Sequence, residues 1–313
     1  MKAIVLKEFG GVDQLVLEEL AVPLIDAHEV LIEVKAISIN PVDVKTRAGK
    51  GMAGRLKEIK PLILGWDISG IVIEVGEAVL GLKKGDEVFG MVNFPGHGKA
   101  YAEYVAAPAA HVALKPANIS HAEAAAATLA ALTAWQALVT HAKVQAGAYV
   151  LIHAASGGVG HYAVQLAKHL GANVTGTSSG ANKEFVLSLG ANQHIDYKRE
   201  VLEDVAPHMD FVLDTLGGAS IDHSLNVTKK GGTVISIPSG LNETVVEKAK
   251  AKGVNGYFFL VQSNGEDMQH IAALLEKGIL TSTVSKTFPF KQMAEAHLAV
   301  ESGRTVGKVV VVL

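Results

Sequence analysis

Residues Ala148–Gly171 read AYVLIHAASGGVGHYAVQLAKHLG, and this stretch decides the fold. An apolar run of strand length ends in glycines, which open a helix with Val159, Ala163, Leu166, Ala167 and Leu170 on one face. Gly157 and Gly158 let the backbone approach a pyrophosphate, whose charge is met by amides at a helix N-terminus, and Gly160 lets the helix pack closely. Ala155, followed by Ser156, replaces the first glycine of the usual G-x-G-x-x-G, so an ordinary tight strand-to-helix turn is the competing reading. Outward from this stretch, strand and helix patterns alternate from Gly147 to about Gly256, as NVTGTSS, NKEFVLSLG, MDFVLDTLG, SIDHSLNVTK and TVISIP. Such alternation predicts an α/β fold, a doubly wound parallel sheet with right-handed crossovers.

From Met1 to about His121 the pattern changes to short alternating runs (KAIVLKEF, EVLIEVKAISI, SGIVIEVGE) separated by Gly, Pro and Asp, which predicts an antiparallel β domain. The alanine-rich HAEAAAATLAALTAWQALVTHA reads as a linker helix. After Gly256 come one strand, two helices and a final KVVVVL, a tail that either extends the parallel sheet or returns to the first domain. A chain of 313 residues has room for two such cores. With 49% apolar residues and a net charge of −3, the composition fits a globular protein and gives no electrostatic reason to expect nucleic acid or an anionic membrane as partner. No apolar run reaches about 18 residues and MKAIVL is not a signal h-region, so a cytoplasmic location is expected. The chain has no cysteine, which excludes disulfides, thiolate metal sites and cysteine nucleophiles.

The second strand of the alternating region carries the choice of ligand. A carboxylate at its end would bind a ribose 2′-hydroxyl, but here the end reads Thr177, Ser178, Ser179, with Lys183 following and no acid before Glu184. Hydroxyls and a cation suit a 2′-phosphate, so NADP(H) is favoured over NAD(H), against a solvated serine turn with a surface lysine as the plain alternative. The same GTSSG matches G-x-S-x-G, which would make Ser178 a hydrolase nucleophile; that pattern is short, and its strand already serves the phosphate-loop reading.

With the loop placed, INPVDVKTRAG, PLILGWDISGIVIEVGEAV, KKGDEVFG, YAEYVAAP, TLAALTAWQAL, SLGANQHIDY, FVLDTLGG, GGTVISI and GRTVGKVVVV fall in an order that resembles the zinc-independent medium-chain dehydrogenase/reductase family, in its quinone oxidoreductase and enone reductase branch. The resemblance implies a GroES-like β domain over residues 1–121, completed by 257–313, and a Rossmann domain over 122–256. It also implies a cofactor beside Asn40 and Asp43 and cofactor contacts at Thr133, Tyr197, Leu216, Ile237, Gly307 and Lys308. Zinc members of the superfamily carry Cys near the position of Asn40 and Gly-His-Glu where this chain has Gly65, Trp66 and Asp67, so a metal site is not expected. His97 and His153 read as loop and strand residues.

Without a metal, hydride transfer must rely on the nicotinamide and on donors that polarise the acceptor, which suits a quinone or an α,β-unsaturated ketone. Lys45 stands where many quinone oxidoreductases have Tyr, and resembles the plant enone reductases and the mitochondrial reticulon-interacting branch; it would bond the ribose or the substrate oxygen unless it is a plain surface lysine. A zinc-free reductase of other carbonyls and a non-catalytic NADPH-binding protein remain the alternatives. The GYFFLVQ segment could pair as an edge strand across a two-fold axis into a homodimer.

Overall fold

The apolar run of the deciding stretch becomes the strand Tyr149–Ile152, with Val150, Leu151 and Ile152 fully buried, in a computed structural model that describes residues 1–313. It is buried on both faces because it lies inside a six-stranded, all-parallel sheet. In chain order the strands are Tyr149–Ile152, Asn173–Ser178, Gln193–Asp196, Met209–Asp214, Thr228–Ser236 and Asn255–Phe258. Across the sheet they run third, second, first, fourth, fifth, sixth, so the order reverses between the first and fourth. That reversal is where a doubly wound sheet opens a crevice at its carboxyl edge. Leu151, Val212 and Val234 of the sheet pack with Ile221, Leu225, Val245 and Ala249 of two covering helices. On the edge of this sheet, Gln193–Asp196 is a strand the sequence reading passed over, because four mostly polar residues carry little periodicity.

Met1–Leu132 with Val261–Leu313 forms one unit, and Thr133–Leu260 the other. In the first, the long strand Glu29–Ile39 pairs antiparallel with Asp67–Val75, Tyr104–Pro108 and the C-terminal Lys308–Val312. The tail therefore returns to the β domain, where Val309 stands opposite Ile39. A strand at Val284–Pro289, absent from the sequence reading, runs parallel to that last strand. The helix Pro41–Arg47 begins directly beyond Glu29–Ile39.

Three expectations need correction. The linker helix is broken into His121–Ala126, Leu129–Trp135 and a π-helical turn at Gln136–His141. The buried Asp67 carboxylate accepts the Leu129 N–H at 3.1 Å, so the second helix starts at a cap that the alanine-rich sequence does not show. The division after residue 121 also moves, since Ala125 and Ala126 pack on Ala36 and Val310 of the β unit. At the other end, Tyr257 and Phe258 pair with Ile235 and Ser236 in the parallel sheet, which carries the division to residue 260. No helix is long and apolar enough to cross a membrane.

Candidate functional site

The glycine turn lies at the carboxyl edge of the parallel sheet. Ala155 N–H donates to Thr177 O at 2.8 Å, which ties the turn to the second strand, and the helix Gly158–His169 begins at Gly157. Its first internal bond runs from His161 N–H to Gly157 O, so the amides of Gly158, Val159 and Gly160 precede the helical ladder. A Cβ on Gly160 would stand 2.1 Å from Ala154 O, which forbids any side chain there. Amides left free at a helix start are the kind of donor that binds a phosphate group. The fourth and fifth strands bring Leu216 and Ile237 to the same edge. Asp214, fully buried, accepts the N–H groups of Leu216 and Gly217 at 2.9 and 3.0 Å and the Ser220 hydroxyl at 2.6 Å. That carboxylate shapes the Leu216 turn; the signal for it was the Asp within FVLDTLGG, where the strand ends.

At the end of the second strand the expected phosphate contacts separate. Thr177 faces inward, with its hydroxyl 3.1 Å from His153 Nδ1, so it belongs to the core and not to a ligand. His153 is held at its other nitrogen by the Ser224 hydroxyl, which makes it a structural strand residue. Ser178 is 4% exposed, and its hydroxyl lies 3.1 Å from Ser179 O and 2.8 Å from His194 Nε2. Ser178 ends a strand and is enclosed, whereas a hydrolase nucleophile stands exposed on a sharp strand-to-helix elbow, so the G-x-S-x-G match is not read as one. Lys183 stands exposed at the start of its helix, Asn182 donates to the Ser156 hydroxyl at 3.0 Å, and Tyr197 is 63% exposed. The third strand supplies two groups the reading missed, His194 and Asp196, which share a face with Gly176 and Ser178 through the parallel register. Asp196 lies close against Gly180, where a Cβ would meet its Oδ2.

The β unit holds a polar centre of another kind. Asn40 caps the helix Pro41–Arg47; its N–H donates to Asp43 Oδ2 and its Nδ2 to Asp67 Oδ2, both at 2.7 Å. Its remaining atom, Oδ1, accepts from the Lys308 ammonium, which also reaches Ile39 O at 3.4 Å. Asn40 and Lys308 are 1% and 3% exposed, and Asp43 and Asp67 are fully enclosed. Burial pushes both carboxyls up, that of Asp43 from 3.8 to about 7 with Asp67 adding repulsion, and it pulls the Lys308 ammonium down against the pull of both acids. Asn40, Asp43 and Lys308, expected to border a cofactor, thus have their polar atoms directed into this network. Thr133 is buried, and Gly307, at φ 66, has Thr283 O within 2.2 Å of where a Cβ would stand.

Next to this centre, the Tyr101 hydroxyl is 2.9 Å from His297 Nε2, and burial beside Arg47 holds that imidazole near 3, neutral. Arg47 in turn reaches Gly10 O and Glu301. Lys45, on the same helix as Asp43, is half-buried, and burial followed by the nearby Lys50 lowers its ammonium below the ordinary lysine range. The zinc positions do not fit zinc: the Trp66 indole offers no lone pair and donates to Gly96 O, and an ammonium already bridges the Asn40 amide. No group of three or more His, Cys, Asp or Glu is placed to hold a metal ion.

Comparisons with known proteins find relatives over the whole chain. Residues 26–117 match the alcohol dehydrogenase GroES-like domain and residues 189–311 the zinc-binding dehydrogenase domain. The chain is 38% identical to the NADPH-dependent alkenal/one oxidoreductase, chloroplastic, of Arabidopsis thaliana, over 99% of this chain and 79% of that one. The solved quinone oxidoreductase of Coxiella burnetii is 38% identical with a TM-score of 0.95, over 100% of this chain and 99% of that one. That of Escherichia coli, solved with NADPH, is 28% identical with a TM-score of 0.89 over both whole chains. The chain belongs to the medium-chain dehydrogenase/reductase family, among its quinone and enone oxidoreductases.

Proposed function

We propose that this protein reduces a quinone or an α,β-unsaturated carbonyl compound with NADPH and without a metal. The observation that carries the reading is the phosphate cradle at Gly157–Gly160, set at the switch of a parallel sheet, in a chain whose matched zinc positions hold Asn40, Trp66 and Asp67. NADPH, when bound, supplies a hydride from its nicotinamide ring. The chain binds its pyrophosphate with the Gly158, Val159 and Gly160 amides and its 2′-phosphate with Lys183 and the serine turn, while Tyr197, Leu216 and Ile237 flank it. Asn40, Asp43 and Lys308 are positioning residues, because the Asn40 amide bonds Asp67 and Lys308 and Asp43 Oδ2 accepts the Asn40 N–H inside the β unit. Lys45 donates to the substrate oxygen as negative charge develops there. A homodimer through the edge strand Asn255–Phe258, which leaves Phe258 exposed, and a cytoplasmic location belong to the same reading; sedimentation and cell fractionation test them.

Single-turnover oxidation of NADPH by a panel of quinones and enones tests the activity, before and after exhaustive chelation. Turnover of at least one acceptor class, unchanged by chelation, is expected. No oxidation with any acceptor, or stoichiometric zinc whose removal abolishes turnover, overturns the proposal.

A further inference from the structure

At the end of the second strand the Ser178 hydroxyl is held by an imidazole from the third, His194, to which the reading above gives no role. We propose that His194 is a specificity residue for the cofactor's 2′-phosphate: it sets the direction of the Ser178 hydroxyl and, as imidazolium, adds a positive charge beside Lys183. The proposal rests on the NADPH reading and extends it to pH.

A serine hydroxyl has one hydrogen to donate. If His194 Nε2 is an acceptor, at 2.8 Å, it takes that hydrogen, and Ser178 has none for a phosphate oxygen. Once the imidazole is protonated, Nε2–H donates to Ser178 Oγ, and the hydroxyl hydrogen is released toward Ser179 O or an incoming phosphate. Protonation therefore favours the phosphate twice, by freeing a donor and by adding charge.

The charges around the ring give the switch its range. His194 and Asp196 share one face of the third strand, and the imidazole also senses Glu200 and, on the neighbouring helix, Lys183. Burial lowers His194 from 6.5, the two acids oppose that, and Lys183 reinforces it. Asp196 is itself next to Gly180 and in register with Ser178, with Arg199 3.8 Å away, so a carboxylate stands beside the serine turn, from the third strand in place of the second. With His194 neutral, that acid repels a 2′-phosphate; with His194 charged, the repulsion is offset. A bound phosphate dianion raises the imidazole in turn, so discrimination between NADPH and NADH falls as pH rises through the imidazole range.

The test uses adenosine 2′,5′-bisphosphate and adenosine 5′-monophosphate as probes, with calorimetric binding from about pH 6 to about pH 8. Wild type, His194→Gln and His194→Lys are compared, each checked for a native near-ultraviolet spectrum. Glutamine keeps a hydrogen-bonding side chain without a proton to gain, so its profile reports only the phosphate's own titration near about 6. Relative to that variant, wild type is expected to gain about tenfold in preference for the 2′-phosphate on going to the acid end, the scale of one charge-assisted contact. His194→Lys should hold the high preference at every pH. Parallel profiles for wild type and His194→Gln overturn the role of His194 while leaving the NADPH reading in place. Equal binding of the two probes by wild type at all pH values overturns that reading, and the proposal with it.

Discussion

Lys308 and Lys183 were both expected to serve one cofactor, yet the fold treats them in opposite ways. Lys308 is enclosed, bridging Asn40 Oδ1 and Ile39 O between two buried acids, while Lys183 stands in solvent at a helix start. The same contrast separates the two polar centres. Around Asn40 all the named groups but Asp43 Oδ1 are answered from within the β unit, by Lys308, Asp67, the Asn40 N–H or the Leu129 amide. Around Gly158 the helix amides precede the ladder, and Gly157, Gly158 and Val159 are half-buried. A closed network fixes geometry and has little left to offer a ligand; an open helix start has directed donors and no internal acceptor.

The largest effect that would break this contrast comes from Lys308→Met. Removing the ammonium leaves Asp43 and Asp67 without their cation, and urea denaturation should show a loss of about 3–5 kcal/mol. A loss under about 1 kcal/mol would mean the network is not a stabilising charge set. Asp43→Asn comes next, with a pH signature. Folding raises this carboxyl from 3.8 to about 7, so the folded chain holds the proton more tightly. Its contribution to stability is complete below about 4 and is lost as pH rises through about 7. Asparagine cannot lose that proton, so the variant should gain on wild type from about pH 4 to about pH 7, by about 4 kcal/mol over roughly three units at about 1.4 kcal/mol per unit. Parallel stability profiles would place the ionised acid in the folded chain throughout.

Smaller effects sharpen the open side. Lys45→Met should slow hydride transfer to an enone by roughly 10²-fold in stopped-flow, about 2.7 kcal/mol, with NADPH affinity nearly unchanged. If affinity falls first, Lys45 orients the ribose; if neither changes, it is a surface lysine. Lys183→Ala should weaken NADPH binding by about 1.5 kcal/mol and leave NADH binding alone. Equal affinities of wild type for the two cofactors would remove the basis of that expectation.

Much of this was legible in the chain. Alternating strand and helix periods, glycines at the turn and the absence of cysteine pointed to a parallel sheet with a phosphate cradle and no thiolate metal site. Those signals are local: they depend on which residue follows which within one strand or helix. The residues that escaped are those whose meaning depends on distant partners. Thr177 was grouped with Ser178 and Ser179 by adjacency, but alternation along a strand turns its hydroxyl to the opposite face, toward His153. His194 and Asp196 were overlooked because no spacing rule links the second strand to the third.

The sequence by itself determined the kinds of element, the position of the glycine turn and the lack of thiolate metal ligands, because these follow from periodicity, backbone freedom and side-chain chemistry. Tertiary structure alone decided where the alanine-rich helix breaks, which strand the C-terminal tail joins and which polar atoms remain for a ligand. The break is made by Asp67, from a strand far away in sequence, and the tail's place by Val309 opposite Ile39. Hydrogen-bond valence is filled by whatever the fold brings within about 3 Å, and that proximity is not written in the order of the residues.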